Sequence, residues 1–587
     1  MTTGTMLRET QGPRRGRMQL AALLAAVLLA ACGGNKSEED TAAANPMPAS
    51  RSEAARFLTQ STFGPTDADV DRVMQLGYAG WIDAEFAKPP TSHRAAWEAL
   101  DATVKAGNAS ASIGQDGVYL SFWKQALTGD DQLRQRVAFA LSQIFVISLQ
   151  DGTVGENPRA VAAYLDMLGE QGFGTYRELL EAVSRHPMMG TYLSHIRNRK
   201  ADPRTGRVPD ENYAREVMQL FSIGLVQLND DGSAKQTNGA PIETYGPSDI
   251  AGIARVFTGW SWACPDWPDN GCFSNGMIGG GAADPDRSFK AMLGYPQYHS
   301  TEEKSFLGTT IPVQSSANPD ASLKTGLDAL ANHANVGPFI GRQLIQRLVS
   351  SNPSPGYVAA VSRVFADNGR GVRGDLKAVV KAILLHPEAR TASTTGGKVR
   401  EPILRLSTLL RAYGYSATSG HFCIGNTDNA ATALNQTAMR SPSVFNFYRP
   451  GYVPPGTQAA AAGLVAPEMA LAQETSAAGY VNYLRDGIES GFGTTLAAIG
   501  CTNRQLQPQF AAELALADRP GDLVEAVNTK LMQGAMPAAL KTEIGDAVAS
   551  FAITSGMTPT QVDAAKRRRV NTAVLLTVVS PEYQVQK

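Results

Sequence analysis

Apolar residues return every three and four positions in one segment after another between Ser52 and Val579, and that period commits the chain to α-helix. In QLRQRVAFALSQIFVIS, residues 132–148, the positions Leu133, Val137, Ala140, Leu141, Ile144 and Phe145 keep the spacing behind Asp130 and Asp131, which suit a helix start. SEAARFLTQS from Ser52 and DADVDRVMQLG behind Thr66 read the same way. So do residues 176–185, 209–224, 248–257, 338–349, 355–365, 375–385, 401–413, 467–484, 522–532 and 560–579. The two-residue alternation of strands is scarce. Only residues 225–242, where NDDG and NG are turn sequences between modestly apolar flanks, predict a short hairpin. Long loops rich in Gly, Pro and Trp fall at 261–285 and 440–463, and loops of that length inside a compact protein often carry function. No repeat of 20–50 residues is visible, which argues against a solenoid. The expected fold is mainly α, a large multi-helix globular domain with long loops and at most a minor β-hairpin.

The first fifty residues predict a destination. Arg14, Arg15 and Arg17 precede an apolar run from Leu20 to Ala31, too short to span a membrane and shaped like a secretory signal. It closes in Leu29-Ala30-Ala31-Cys32, which resembles a bacterial lipobox with Cys32 as the lipid attachment residue. Two or more acyl chains, at about 0.8 kcal/mol for each buried methylene, give stable anchoring. Gly33 and Gly34 follow the cysteine where an inner-membrane retention signal would place Asp, so an outer-membrane lipoprotein facing the periplasm is expected. Residues 1–31 are then a signal peptide and 32–49 a lipidated tether, polar and proline-marked, with a span of roughly 20–25 Å.

Export changes the reading of cysteine. With Cys32 taken by lipid, Cys264, Cys272, Cys423 and Cys501 remain, an even set in an oxidising compartment. Proximity favours Cys264 with Cys272 and Cys423 with Cys501. A four-cysteine zinc site is disfavoured because no CxxC pair exists.

Charge excludes other classes. The chain carries 53 basic and 54 acidic side chains, a balance unsuited to a protein that lives on nucleic-acid phosphates. Lys566 to Arg569 form a basic run, but on one helix of a neutral protein it reads as a solvated face. There is no HExxH, GxSxG, GxxxxGK[ST] or strand-flanked GxGxxG. Asp67, Asp69 and Asp71 alternate like a calcium loop, lack its Gly and distal Glu, and read as the start of a helix.

Residues 209–224, PDENYAREVMQLFSIG, hold the densest chemistry. Pro209 is expected in the first helical turn and Gly224 as the C-terminal cap. Tyr213, Val217, Leu220 and Phe221 share a stripe, Glu211 pairs with Arg215 four residues on, and Glu216 falls on the flank. A carboxylate there is paired with a donor or kept for metal or proton chemistry. Among the histidines, His186 and His386 precede prolines at helix ends and read as dipole partners, while His195 and His333 read as surface residues. His299, in a loop with Tyr295, Tyr298 and Lys304, is the strongest functional candidate. Trp260, Phe445, Asn446 and Tyr448 line a groove or cover loop cores.

ARFLTQSTFGPT (55–66), DENYAREVMQLFSIG (210–224), GIARVFTGW (252–260), residues 299–308, FIGRQLIQRLVSSNPSP (339–355), SPSVFNFYRPGY (441–452) and SPEYQVQ (580–586) resemble, in this order, the bacterial domain-of-unknown-function family 1800. The resemblance implies one long unit, residues 50–587. It also implies an exported protein and a co-exported partner of family 1501, itself similar to alkaline phosphatases and sulfatases. Two departures bear on chemistry. Asp210 and Gln219 stand where the family often has Asn and Glu, which weakens a metal site at Glu216, and Ser300 follows His299 where the family tends to have Asp. Two functions are therefore expected as alternatives. The first is a lipid-anchored binding or scaffold module of the envelope. The second is an envelope hydrolase in which Glu216 and His299 act with Arg215 or Arg255 holding an anion; the candidate binding residues are Glu211, Asn212, Trp260, Lys304, Phe445, Asn446 and Tyr448. No cofactor is expected, a divalent metal being the alternative, and no nucleic-acid partner.

Overall fold

Helix forms where the apolar period and a capping residue coincide. Tyr176–Arg185 shows both: the Thr175 hydroxyl accepts from the Glu178 amide, the Glu178 carboxylate accepts from the Thr175 amide, and Leu179, Leu180 and Val183 are fully buried. The computed structural model describes residues 46–278, 281–393 and 396–587. The predicted signal peptide, the expected lipid site Cys32, the expected tether through Asn45 and two glycines of the 276–281 run lie outside the described residues. Residues 47–587 make one unit, mainly helical, with only short antiparallel strand pairs. Among the described residues no helix is long and apolar enough to cross a membrane.

Two apolar cores share one unit. The larger gathers Phe57, Trp81, Leu141, Tyr164, Tyr213, Ile253, Leu344 and Ile383, and the smaller Phe122, Phe139, Leu406, Leu484, Val527 and Val574. The helix Gln132–Ser142 runs between them, giving Leu133, Val137 and Leu141 to the first and Phe139 to the second. Every residue of this helix is buried, Arg134 and Arg136 included. It is thus a core helix rather than the half-exposed one its stripe predicts. It also stops at Ser142 instead of reaching 148, because the following carbonyls are taken by side chains from outside. Arg347 Nη2 donates to Gln143 O at 2.9 Å and Tyr164 Oη to Phe145 O at 2.8 Å.

Several predicted spans are likewise shortened or broken. The helix within 209–224 is Asn212–Gln219, since the Asn198 side chain holds both backbone groups of Asp210 and keeps Pro209 outside. Residues 467–484 divide into a 3-10 turn at Pro467–Leu471 and a helix Glu474–Ser490, with Ser476 capping the break. Helices outside the predicted spans also form, among them His93–Gly107, Asp116–Thr128 and Pro158–Gln171. The predicted hairpin is present as Gln236–Thr237 paired with Ala240–Pro241 around Asn238-Gly239, both at positive φ (52° and 79°), the combination a type I′ turn requires. The disulfide pairs are Cys264–Cys272 and Cys423–Cys501, with Cα separations of 5.6 and 6.3 Å. Arg569 of the basic run is buried, donating to Phe551 O and Ala517 O at 2.9 Å each, so that run is only partly a solvated face.

Candidate functional site

The helix Val336–Leu348 presents two faces. Ile340, Leu344, Ile345 and Leu348 enter the main core. Phe339, Arg342, Gln343, Gln346 and Arg347, spaced 3, 4, 7 and 8 along the helix, form the opposite stripe and floor a cleft of about 440 Å³. A volume of roughly 300–1,000 Å³ is the usual range for small-molecule sites. One wall is the turn at Gly224, whose φ of +70° only glycine adopts freely; a Cβ there would stand 2.8 Å from the Phe339 ring. Both the Ile223 and Gly224 amides bond to Met218 O, so the chain leaves its helix here and exposes Leu225 to the cleft. The other wall is the loop 444–451, tied to the floor where Gln346 Nε2 donates to Pro450 O at 3.2 Å. On this loop the Arg449 guanidinium lies 4.0 Å over the Phe445 ring. The lining includes Arg342, Arg347 and Arg449 and no Asp or Glu.

Beneath the floor lies a buried polar network. Arg136, Arg347, Lys398, Glu401, Glu468 and Tyr448 are each at most 5% exposed. Lys398 pairs with Glu468, while Gln143 and Gln436 both donate to Glu401. Arg347 is propped by main-chain carbonyls of Gln143 and Gln343, and Arg136 donates to the carbonyl of Arg347. Burial lowers the proton affinity of both guanidinium groups and raises that of the Glu468 carboxyl and the Tyr448 hydroxyl. Several atoms here have no hydrogen-bond partner: Arg136 Nε and Nη1, Arg347 Nε, Gln343 Nε2, Gln143 Oε1, Gln346 Oε1, Glu401 Oε1 and Glu468 Oε2. Unpaired buried polar atoms are uncommon, and those of Gln143, Gln343, Gln346 and Arg347 belong to residues that line the cleft.

The candidates from sequence fall in four places. Arg255, His299 and Lys304 come together near the end of the helix Pro247–Val256. His299 is fully enclosed, its Nδ1 donating to Thr258 O at 2.8 Å and its Nε2 2.9 Å from Ser322 Oγ. Burial pulls its pKa down to about 4, so the ring is neutral at pH 7 with both nitrogens engaged. Lys304 is also buried, donating to Glu302 O and Gln314 Oε1, and burial lowers its pKa to about 8. Arg255 pairs with Glu302 at 3.0 Å. Glu216 stands apart from this group. Its charged neighbour is Arg215, it influences Tyr192 and Tyr245, its Oε2 is unpaired, and burial raises its pKa. Arg215 pairs with Glu211 at 2.6 Å, and Asn212 is exposed. No hydrogen bond or ion pair joins Glu216 to His299 or Arg255. Trp260 is buried in the main core, whereas Phe445, Asn446 and Tyr448 belong to the cleft loop and the network below it.

Other histidines differ from their sequence reading. His195 is buried, stacked 3.8 Å on the Tyr213 ring, with burial lowering its pKa to about 4. His186 and His386 cap the helices that follow them, each Nδ1 accepting an amide two residues on. That role needs the neutral ring. Among the described residues no three His, Cys, Asp or Glu side chains gather to hold a metal.

Residues 56–585 match the family described as protein of unknown function (DUF1800). The chain belongs to this family. Neither a curated protein nor a solved structure matches it. In this DUF1800 chain, three of the segments that carry the resemblance, 210–224, 339–355 and 441–452, all reach the one cleft. Sequence reasoning missed its floor. Gln343, Gln346 and Arg347 look like the solvent face of an amphipathic helix, and nothing local distinguishes Arg136, Lys398, Glu401 or Glu468 as members of one buried network.

Proposed function

We propose that this DUF1800 chain is an exported, lipid-anchored binding module of the cell envelope, held to the outer membrane through Cys32. It acts beside a co-exported partner, of the phosphatase-like or sulfatase-like kind that the family resemblance suggests. The cleft carries the reading. Three arginines, an apolar stripe and no acid converge there from three separated segments, on a rigid helix that belongs to the core. Binding is preferred to hydrolysis because Glu216 and His299 share no contact and His299 is enclosed by its own partners.

The test uses two full-length variants expressed in a host that lacks the native protein. Leu225 lines the cleft yet is 56% exposed, so Leu225→Asp places an acid in the site without burying it. It is expected to abolish complementation and binding of the neutral dye N-phenyl-1-naphthylamine while the circular dichroism stays unchanged. Cys32→Ser is expected to leave the protein without acyl chains. Full complementation and dye binding by Leu225→Asp would refute the cleft as the site, and an acyl-bearing Cys32→Ser protein would refute the anchor.

A further inference from the structure

Resting on the binding reading above, we infer that the cleft takes a small amphiphilic carboxylate that carries an N–H or O–H donor beside the charged group. Its head lies at Arg347 and Gln343 and its apolar body lies against Leu220, Phe339 and Val444. The first argument is charge. Arg136, Arg347 and Lys398 are buried with only Glu401 and Glu468, three cations to two acids, and a buried charge without a counter-charge is strongly unfavourable. The cleft lining adds Arg342 and Arg449 and no acid, so the protein itself supplies no missing anion on that side.

The second argument is the pattern of unpaired atoms. Arg347 uses Nη1 and Nη2 on the carbonyls of Gln343 and Gln143, which fixes the guanidinium plane and leaves its Nε–H unpaired. Gln343, one helical turn earlier and 7% exposed, has an unpaired Nε2. Two N–H donors on one helical stripe, one of them charged, suit the two oxygens of a carboxylate. The acceptors Gln143 Oε1 and Gln346 Oε1 are also unpaired, because both side-chain amides already donate elsewhere, to Glu401 and to Ser351 O and Pro450 O. They match a donor on the ligand next to its carboxylate. Phe339, Leu220 and Val444 offer apolar surface for the rest of the molecule. N-acyl amino acids have this combination.

Isothermal titration calorimetry on the full-length protein in non-ionic detergent tests it with two probes, N-acetyl-L-phenylalanine and its neutral primary amide. The acid is expected to bind at least tenfold more tightly than the amide. Gln343→Met, close in volume and free of the unpaired donor, is expected to lose most of that preference while its thermal midpoint stays level or rises. Equal affinity for acid and amide, or a preference untouched in Gln343→Met, would overturn the assignment. If neither probe binds while the neutral dye does, the anion assignment fails and the cleft stands. Should the dye fail as well, both fall.

Discussion

Three enclosed imidazoles each contribute stability that is lost in acid. Burial lowers the pKa to about 3 at His186, about 4 at His195 and about 4 at His299, against about 6.5 in an unfolded chain. A depressed histidine binds its proton in the unfolded state first. Its contribution to stability is therefore complete above pH ~6.5 and is lost as the pH falls toward the folded value, at about 1.4 kcal/mol per pH unit for each residue. Asparagine keeps the helix-capping acceptor that His186 supplies to the Met188 amide, so His186→Asn isolates the proton from the cap. Urea unfolding of that variant between about pH 6 and pH 4.5 is expected to show a slope shallower by one proton, and an unchanged slope would contradict it. Residues of this kind are poorly legible in sequence, because a buried and a solvated histidine sit in the same polar-looking neighbours. His195 follows a Ser and reads as surface until Tyr213 stacks on it.

Whole elements were more legible than their ends or their faces. Tyr176–Arg185 follows from its apolar stripe, and the Asn238-Gly239 turn from its NG turn sequence. The helix Val336–Leu348 shows where the reading fails. Its period is correct, but a polar stripe says only that a face is not apolar, and here that face floors a cleft at 7% exposure or less for Gln343, Gln346 and Arg347. The disulfide pairs follow from proximity in the chain, and their loop lengths rank them. Closing the loop between Cys423 and Cys501, at a sequence separation of 78, constrains the unfolded chain by about 4.5 kcal/mol, against about 2.5 kcal/mol for Cys264 and Cys272 at a separation of 8. Replacing Cys423 and Cys501 with Ala is therefore expected to lower the unfolding midpoint in guanidinium more than the same change at Cys264 and Cys272. The reverse order would show that native-state contacts, not chain entropy, decide.

At the scale of the molecule, helices distant in sequence meet around Gln132–Ser142, and the C-terminal strand Val585–Gln586 returns to pair with Lys398–Val399. That pairing brings Lys398 to Glu468 and lets Gln586 Nε2 donate to Leu348 O and Val349 O, at the end of the helix that floors the cleft. The cleft thus depends on long-range closure. This is why composition and period gave the helical class but could not show which of the family's segments would converge. A ligand held by this cleft in the cell should be caught there. A photo-crosslinking amino acid placed at Phe445, on the cleft wall, and at Val313, 72% exposed and outside it, tests that directly when followed by irradiation in living cells and mass spectrometry. A discrete adduct at position 445 and none at 313 is the expected result. No adduct at 445, or the same adducts at both positions, would contradict it.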